Sequence, residues 1–273
     1  MSANNDQLVA EAKRKASYAA INEHVTADTK VIGIGSGSTV VFCVERLAQR
    51  MKSESLSLQA CIPTSFQAKQ LIIEAGLPLS ELNQHPTIDV AFDGADEVDT
   101  SLNCIKGGGA CQLQEKLVAS CAKKFVIVAD YRKDSTVLGQ QWKNGVPLEV
   151  IPMAYVSILE VAYGTIHPPH YLLFPNGAPS PTYHYTFFST HFQKLKALGG
   201  KPTLRMATRK AGPVVTDNGN FVIDADFGNI KDPVALEKDL ISIPGIVETG
   251  LFCNMATWAY FGMDNGEVKT RKL

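Results

Sequence analysis

Three apolar runs constrain this chain more than anything else in it, because each leads into glycine or acid. Lys30–Ile34 runs into GIGSGST and then the helical spacing of Val40–Met51. Ile88–Phe92 stops at Asp93, and Lys124–Asp130 (FVIVAD) ends in acid with Arg132 and Lys133 just beyond. Between the first two, Leu56–Ile62 reads as a further strand. A helix follows it, capped by Thr64 or Ser65, running through Ala75 and closed by Gly76 at C′. Strand, turn and helix in repetition predict an α/β fold with a doubly wound, mainly parallel sheet, whose ligands gather at the carboxyl ends of the strands. Asp6–His24 predicts an opening helix, with Leu8, Val9, Ala12, Ala16, Ala19, Ala20 and Ile21 inward and Lys13, Arg14 and Lys15 on the outer face. From about Pro147 the texture changes to the short strands LEVIP, PTLRM, GPVVTDNGNFVIDADF and GIVETGLF. A hairpin signal lies at Asp217–Gly219 and a helix at Asp232–Ile241, which together predict a second, smaller α+β domain.

The chemistry concentrates between Asp93 and Lys116, DGADEVDTSLNCIKGGGACQLQEK. Asp93 and Asp96, separated by Gly94 and Ala95, can share a tight turn and face one pocket, where like charge raises one pKa. Gly107, Gly108 and Gly109 allow backbone N–H groups to approach a ligand, and Lys106 adds a cation, a combination suited to an anion or a developing oxyanion. Helical spacing from Gln112 to Ala122 puts Glu115 on the first turn, close to the glycine loop. Ser36, Gly37, Ser38 and Thr39 form a strand–turn–helix anion site with no third glycine of a dinucleotide fingerprint and no GK[ST], so a monophosphate fits. Lys133 is a second cation at the same edge, whereas Lys69 reads as solvated. The plain alternatives are an Asp93 that only caps its turn, a solvated Asp96 and a glycine turn that merely closes a βα unit.

Composition removes other classes. Lys plus Arg number 26 against 27 Asp plus Glu, so no net positive charge draws the chain to nucleic acid. No run of about 18 apolar residues is present, and the N-terminal MSANNDQLVAEAKRK lacks the apolar core of a signal peptide, so the expected location is cytoplasmic, away from membranes. Cys43, Cys61, Cys104, Cys111, Cys121 and Cys253 show no CxxC spacing and read as reduced packing residues. Cys111, beside the glycine loop and near a helix start, is the one where a thiolate is favoured.

The segments GIGSGST, TSFQAK, DGADEVD, KGGGAC with EK, DYRK, VVTDNGN, IPGIVETGLF and GEVKT, in this order over nearly the whole chain, resemble ribose-5-phosphate isomerase of type A in its eukaryotic wording. The resemblance implies interconversion of D-ribose 5-phosphate and D-ribulose 5-phosphate through an enediolate. It casts Glu115 as proton carrier, Lys106 with the glycine-loop N–H groups as stabiliser of the O⁻, and Asp93 and Asp96 as holders of sugar hydroxyls that assist ring opening. Ser36 to Thr39 with Lys133 would take the phosphate, and Gly94, Ala95 and Gly107 to Gly109 would line the substrate. It implies no cofactor and no metal, a small-molecule sugar phosphate as partner, neither nucleic acid nor membrane, and a homo-oligomer of two or four chains. It also returns the chain to the first domain, giving 1–143 with 250–273 as the catalytic unit and 144–249 as the smaller one. A non-catalytic sugar-phosphate sensor would normally lack Glu115 and carry a basic helix-turn-helix module. An amino-sugar phosphate isomerase would show a site histidine, and none lies between His85 and His167.

One segment departs from the family pattern. Tyr163–Phe192 holds no Asp, Glu, Lys or Arg, yet four of the six histidines and five of the 14 prolines, and it interrupts what would be one helix from MAYVSILE into QKLKALGG. It reads either as a surface loop rich in exposed aromatics or as residues from a retained intron. A zinc site at His167 and His170 is disfavoured by the two prolines between them and the lack of a nearby acid or cysteine.

Overall fold

The computed structural model describes residues 2–54, 56–163 and 198–273; the segment singled out at 163–192 lies, after Tyr163, outside the described residues. The central sheet has six strands: β1 (Val31–Ile34), β2 (Ala60–Pro63), β3 (Val90–Asp93), β6 (Phe125–Asp130), β12 (Trp258–Gly262) and β13 (Val268–Lys272), in the order β13-β12-β6-β3-β1-β2. All pairings are parallel except that of β12 with β13. Every residue of β1, β3 and β6 is buried, which is why these strands read as unbroken apolar runs. Helices α1 (Ser2–His24) and α2 (Val40–Ser53) cover one face, with α3 (Phe66–Glu74) beside them. Helix α4 (Gln112–Ser120) packs on the other through Val118 and Ala119.

Four strands, β7 (Val146–Val150), β8 (Lys201–Leu204), β9 (Phe221–Asp226) and β10 (Ile246–Thr249), form a separate antiparallel sheet in the order β10-β7-β9-β8. Leu236 and Leu240 of α6 (Pro233–Ile241) and Ile158 of α5 (Tyr155–Tyr163) join its core. A small third sheet of β4 (Glu97–Val98), β5 (Cys104–Ile105) and β11 (Leu251–Phe252) carries the stretch that leads to Lys106.

The helix caps follow the sequence. Ser65 accepts from the Ala68 N–H, Asp232 accepts from the Ala235 N–H, and Gly76 adopts φ +67°. Two strand expectations change. The second strand begins at Ala60 rather than Leu56, because β1 starts only at Val31, which pairs with Ala60. GIVETGLF is two strands, not one. Gly250 breaks it, its N–H donating to the Pro147 carbonyl at 2.6 Å while its own carbonyl accepts from the Lys106 N–H at 2.8 Å. A Cβ there would sit 2.2 Å from the Lys106 carbonyl oxygen, so glycine is what lets the two backbones meet. The turn at Asp217–Gly219 is present, but the arm before it makes only single bridges, Met206 to Pro213 and Val215 to Phe221.

Candidate active site

The carboxyl edge of the central sheet opens into a cavity of about 200 Å³. Its wall takes Ser36–Thr39 from the β1–α2 turn, Gly94–Asp96 after β3, Lys106–Gly109 after β5, Glu115 from α4, Asp130 at the end of β6 with Arg132 and Lys133 just beyond, and Lys13 from α1. Each of the three runs that dominate the sequence thus ends on one cleft, as open α/β sheets place their ligands.

At the floor lies a row of buried charges. The Lys106 ammonium is 2.9 Å from Asp93 Oδ2 and 3.2 Å from Glu115 Oε2, and its remaining donor goes to the Gly94 carbonyl. Lys106 and Asp93 are each 2 % exposed and Glu115 5 %. Burial opposes the charge of Lys106, but the two carboxylates outweigh it and hold its pKa above the ordinary lysine value. Burial, then repulsion from Asp93, pushes the Glu115 carboxyl up to about 8 against the pull of Lys106. Burial also raises Asp93 and Asp96.

The two aspartates do not share the pocket as expected. Asp96 lines the cavity and accepts from the Gly108 N–H at 2.7 Å. Asp93 lies beneath the wall, with Oδ1 accepting from the N–H groups of Ser36 (3.1 Å) and Gly94 (2.7 Å). The space it uses belongs to Gly35, where a Cβ would fall 2.1 Å from Asp93 Oδ1. Asp93 therefore ties the phosphate-type loop, the Asp93–Asp96 turn and Lys106 together. The glycine loop is braced from the second sheet by Arg205, which donates to the carbonyls of Gly107 and Gly108 and pairs with Asp224.

At the other end, α2 begins just after Thr39, which lines the cavity and gives the helix no side-chain cap, so the positive end of the helix dipole lies beside the cleft. Ser38 and Thr39 line this end, Gly37 has φ +95°, and the Ser36 hydroxyl is engaged with Thr64 (2.8 Å) and Ser65 (2.6 Å), making it a support of the loop. Lys133 borders the same end, its ammonium over the Trp142 ring. Arg132 is present but paired with Asp130.

Lys13, expected on the outer face of α1, instead donates to Ser38 Oγ at 2.9 Å and lines the cavity. Arg14 pairs with Glu45, and Lys15 donates to the Gly266 carbonyl. The fold supplies the reason: Ser17, one turn after Lys13, is fully buried and donates to the Thr39 carbonyl, so that flank of α1 meets the loop. Cys111 reverses its expectation. Burial, with Glu115 and Asp217 nearby, pushes its thiol up to about 12, and no thiolate forms there at neutral pH. All six cysteines are free.

Ala110, closing the glycine loop, has φ +61°, a left-handed conformation that costs a non-glycine residue about 1 kcal/mol. Ala110→Gly is expected to raise stability by up to about 1 kcal/mol, read as a higher urea midpoint at unchanged slope.

A cleft that can move a proton at one end and grip an anion at the other belongs to the enzymes that isomerise phosphorylated small molecules. Comparison narrows the class. The family model of ribose 5-phosphate isomerase A (phosphoriboisomerase A) matches residues 60–165 and 185–266, and the chain belongs to this family. The ribose-5-phosphate isomerase of Debaryomyces hansenii is 49 % identical over 265 residues, covering 96 % of this chain and 91 % of the relative. That of Homo sapiens is 48 % identical over 262 residues, covering 96 % and 73 %. A solved D-ribose-5-phosphate isomerase in complex with phospho-erythronic acid superposes with TM-score 0.80 at 38 % identity over 97 % of this chain and 99 % of the other. Ribose 5-phosphate isomerase A of Methanocaldococcus jannaschii gives 0.77 at 37 % identity over 98 % and 100 %. The parallel sheet with its separate antiparallel sheet is the expected fold class.

Proposed function

We propose that this chain interconverts D-ribose 5-phosphate and D-ribulose 5-phosphate, with Glu115 as the proton carrier. The observation that carries the reading is the Asp93–Lys106–Glu115 row, set across the cavity from the Ser38, Thr39 and Lys13 end. Isomerisation removes the C2 proton of the open-chain aldose, passes through an enediolate in which the O2 proton moves to O1, and returns a proton to C1. It needs one base on one face and a cation beside the developing O⁻.

Lys106 has three donors, spent on Asp93, Gly94 and Glu115. When Glu115 takes the C2 proton it becomes neutral, and the negative charge passes to the substrate oxygen. The Lys106 donor released from Glu115 then serves that oxygen, so the site keeps its charge balance through the step. Asp96, on the wall, is placed to hold sugar hydroxyls and assist ring opening, while Asp93 acts through Lys106. The phosphate is held by Ser38, Thr39, the α2 terminus, Lys13 and Lys133, supplying remote binding energy that orients C1 and C2. Gly94, Ala95 and the glycine loop form the wall between. Residues 1–143 with 250–273 are the unit bearing this chemistry and 144–249 the one that braces it. A cytoplasmic setting and a dimer or tetramer complete the proposal; no helix among the described residues is long and apolar enough to cross a membrane.

The purified chain supplied with ribose 5-phosphate is expected to form ribulose 5-phosphate, and binding without conversion would overturn the reading. Because the base form of a carboxyl raised to about 8 is half populated there and declines steadily at lower pH, kcat/KM should rise as pH passes through about 8 and fall below it. A flat profile from pH 6 to 9 would contradict the role of Glu115.

A further inference from the structure

The turn between Thr216 and Asn220 leads into the antiparallel sheet, yet it bonds to two helices that adjoin the two halves of the site. Its anchor is Glu149 of β7, a fully buried carboxylate whose Oε1 accepts from Thr216 Oγ1 (2.8 Å), Asn218 Nδ2 (2.9 Å) and Asn220 Nδ2 (2.9 Å). The Thr216 N–H donates to the Asn220 carbonyl, the Gly219 N–H donates to the Thr216 carbonyl, and Gly219 has φ +80°, so the turn is closed on itself. From this rigid base two side chains reach out. Asp217 Oδ2 accepts from the Phe66 N–H at 2.8 Å, at the start of α3, and Asn218 Oδ1 accepts from Gln114 Nε2 at 2.9 Å, on α4.

Each end leads straight to a working part. Phe66 follows Thr64 and Ser65, whose hydroxyls fix Ser36 of the phosphate-type loop, and Gln114 precedes Glu115. We propose that the Thr216–Asn220 turn is a strap that sets the spacing between the phosphate cradle and the proton carrier. Asp217 and Asn218 are thereby positioning residues for the isomerisation. The inference rests on the isomerase reading. The chain gains from such a strap because phosphate binding orients C1 and C2 only if the distance from cradle to Glu115 is held, and small misplacements far from the chemistry are costly.

The test uses the full chain with Asp217→Ala, Asn218→Ala, the double variant and Asp217→Asn. The double variant is expected to lose about tenfold to a hundredfold in kcat, while competitive inhibition by inorganic phosphate and the melting temperature stay near wild type. Asp217→Asn keeps an acceptor for the Phe66 N–H and should recover most of the activity lost in Asp217→Ala. Wild-type kcat in the double variant, or a kcat loss that tracks a fall in melting temperature, would overturn the strap. If the double variant does not fold, Gln114→Ala removes the α4 end of the link in a residue well suited to a helix. It too should lower kcat, and an unchanged kcat there would overturn the proposal. A wild-type chain that fails to interconvert the two sugars defeats the activity itself, whereas active wild type with unaffected variants defeats only the strap.

Discussion

Glu115→Gln is expected to lower kcat by roughly a thousandfold, within the range that a positioned acid–base group supplies, with little change in KM. The amide keeps the shape and the burial of the side chain but accepts no proton. Ser38, Thr39, Lys13 and Lys133, which we propose bind the phosphate, lie at the other end of the cavity and are untouched. Stability separates loss of chemistry from loss of fold. Burial and the Asp93 carboxylate raise the Glu115 pKa in the folded chain, so ionising Glu115 costs stability above the unfolded-state value near 4.5, a cost fully felt only above about 8. Glutamine carries no such cost, and at pH 8 the variant should be at least as resistant to urea as wild type. An inactive variant that is also markedly unstable would point to a structural role.

Lys106→Met should damage both properties. It removes the cation beside the developing enediolate oxygen, worth roughly a hundredfold to a thousandfold in kcat. It also leaves Asp93 and Glu115 facing each other in a buried place without their shared ammonium, and breaking such a pair costs about 3–5 kcal/mol. The sign with pH follows. Without Lys106 both carboxyls are raised further, so their cost is present above their unfolded pKa values and shrinks as pH falls toward them. The stability gap between variant and wild type should be wide at pH 8 and narrower at pH 5. A gap independent of pH would mean that Lys106 contributes mainly packing, including its place over the Phe252 ring at 5.3 Å.

What could be read from the sequence and what could not divides along physical lines. Strands β1, β3 and β6 are buried on both faces, so their apolar runs are unambiguous, and residues at their carboxyl ends share an edge whatever the loops do. Lys106, the glycine loop and Glu115 lie close in sequence, so a strand, turn and helix bring them together with little freedom. Helical periodicity puts Lys13 outside because it separates inside from outside but does not say which flank meets a distant loop. The removal of Asp93 from the pocket wall depends on the missing Cβ of Gly35, a three-dimensional fit 58 residues away in the chain that no local pattern reports. The break of GIVETGLF depends likewise on the approach of Gly250 to Pro147 and Lys106. For Cys111, the helix-start argument for a thiolate lost to burial and to carboxylates brought in by the fold.

The most direct measurement of the central claim follows the C2 proton of ribose 5-phosphate by NMR in D₂O with catalytic amounts of protein. Wild type is predicted to convert the sugar and to replace the C2 proton of the pool with deuterium over many turnovers, and Glu115→Gln to do neither. Exchange at C2 by Glu115→Gln at the wild-type rate would contradict the account and place the proton on another group.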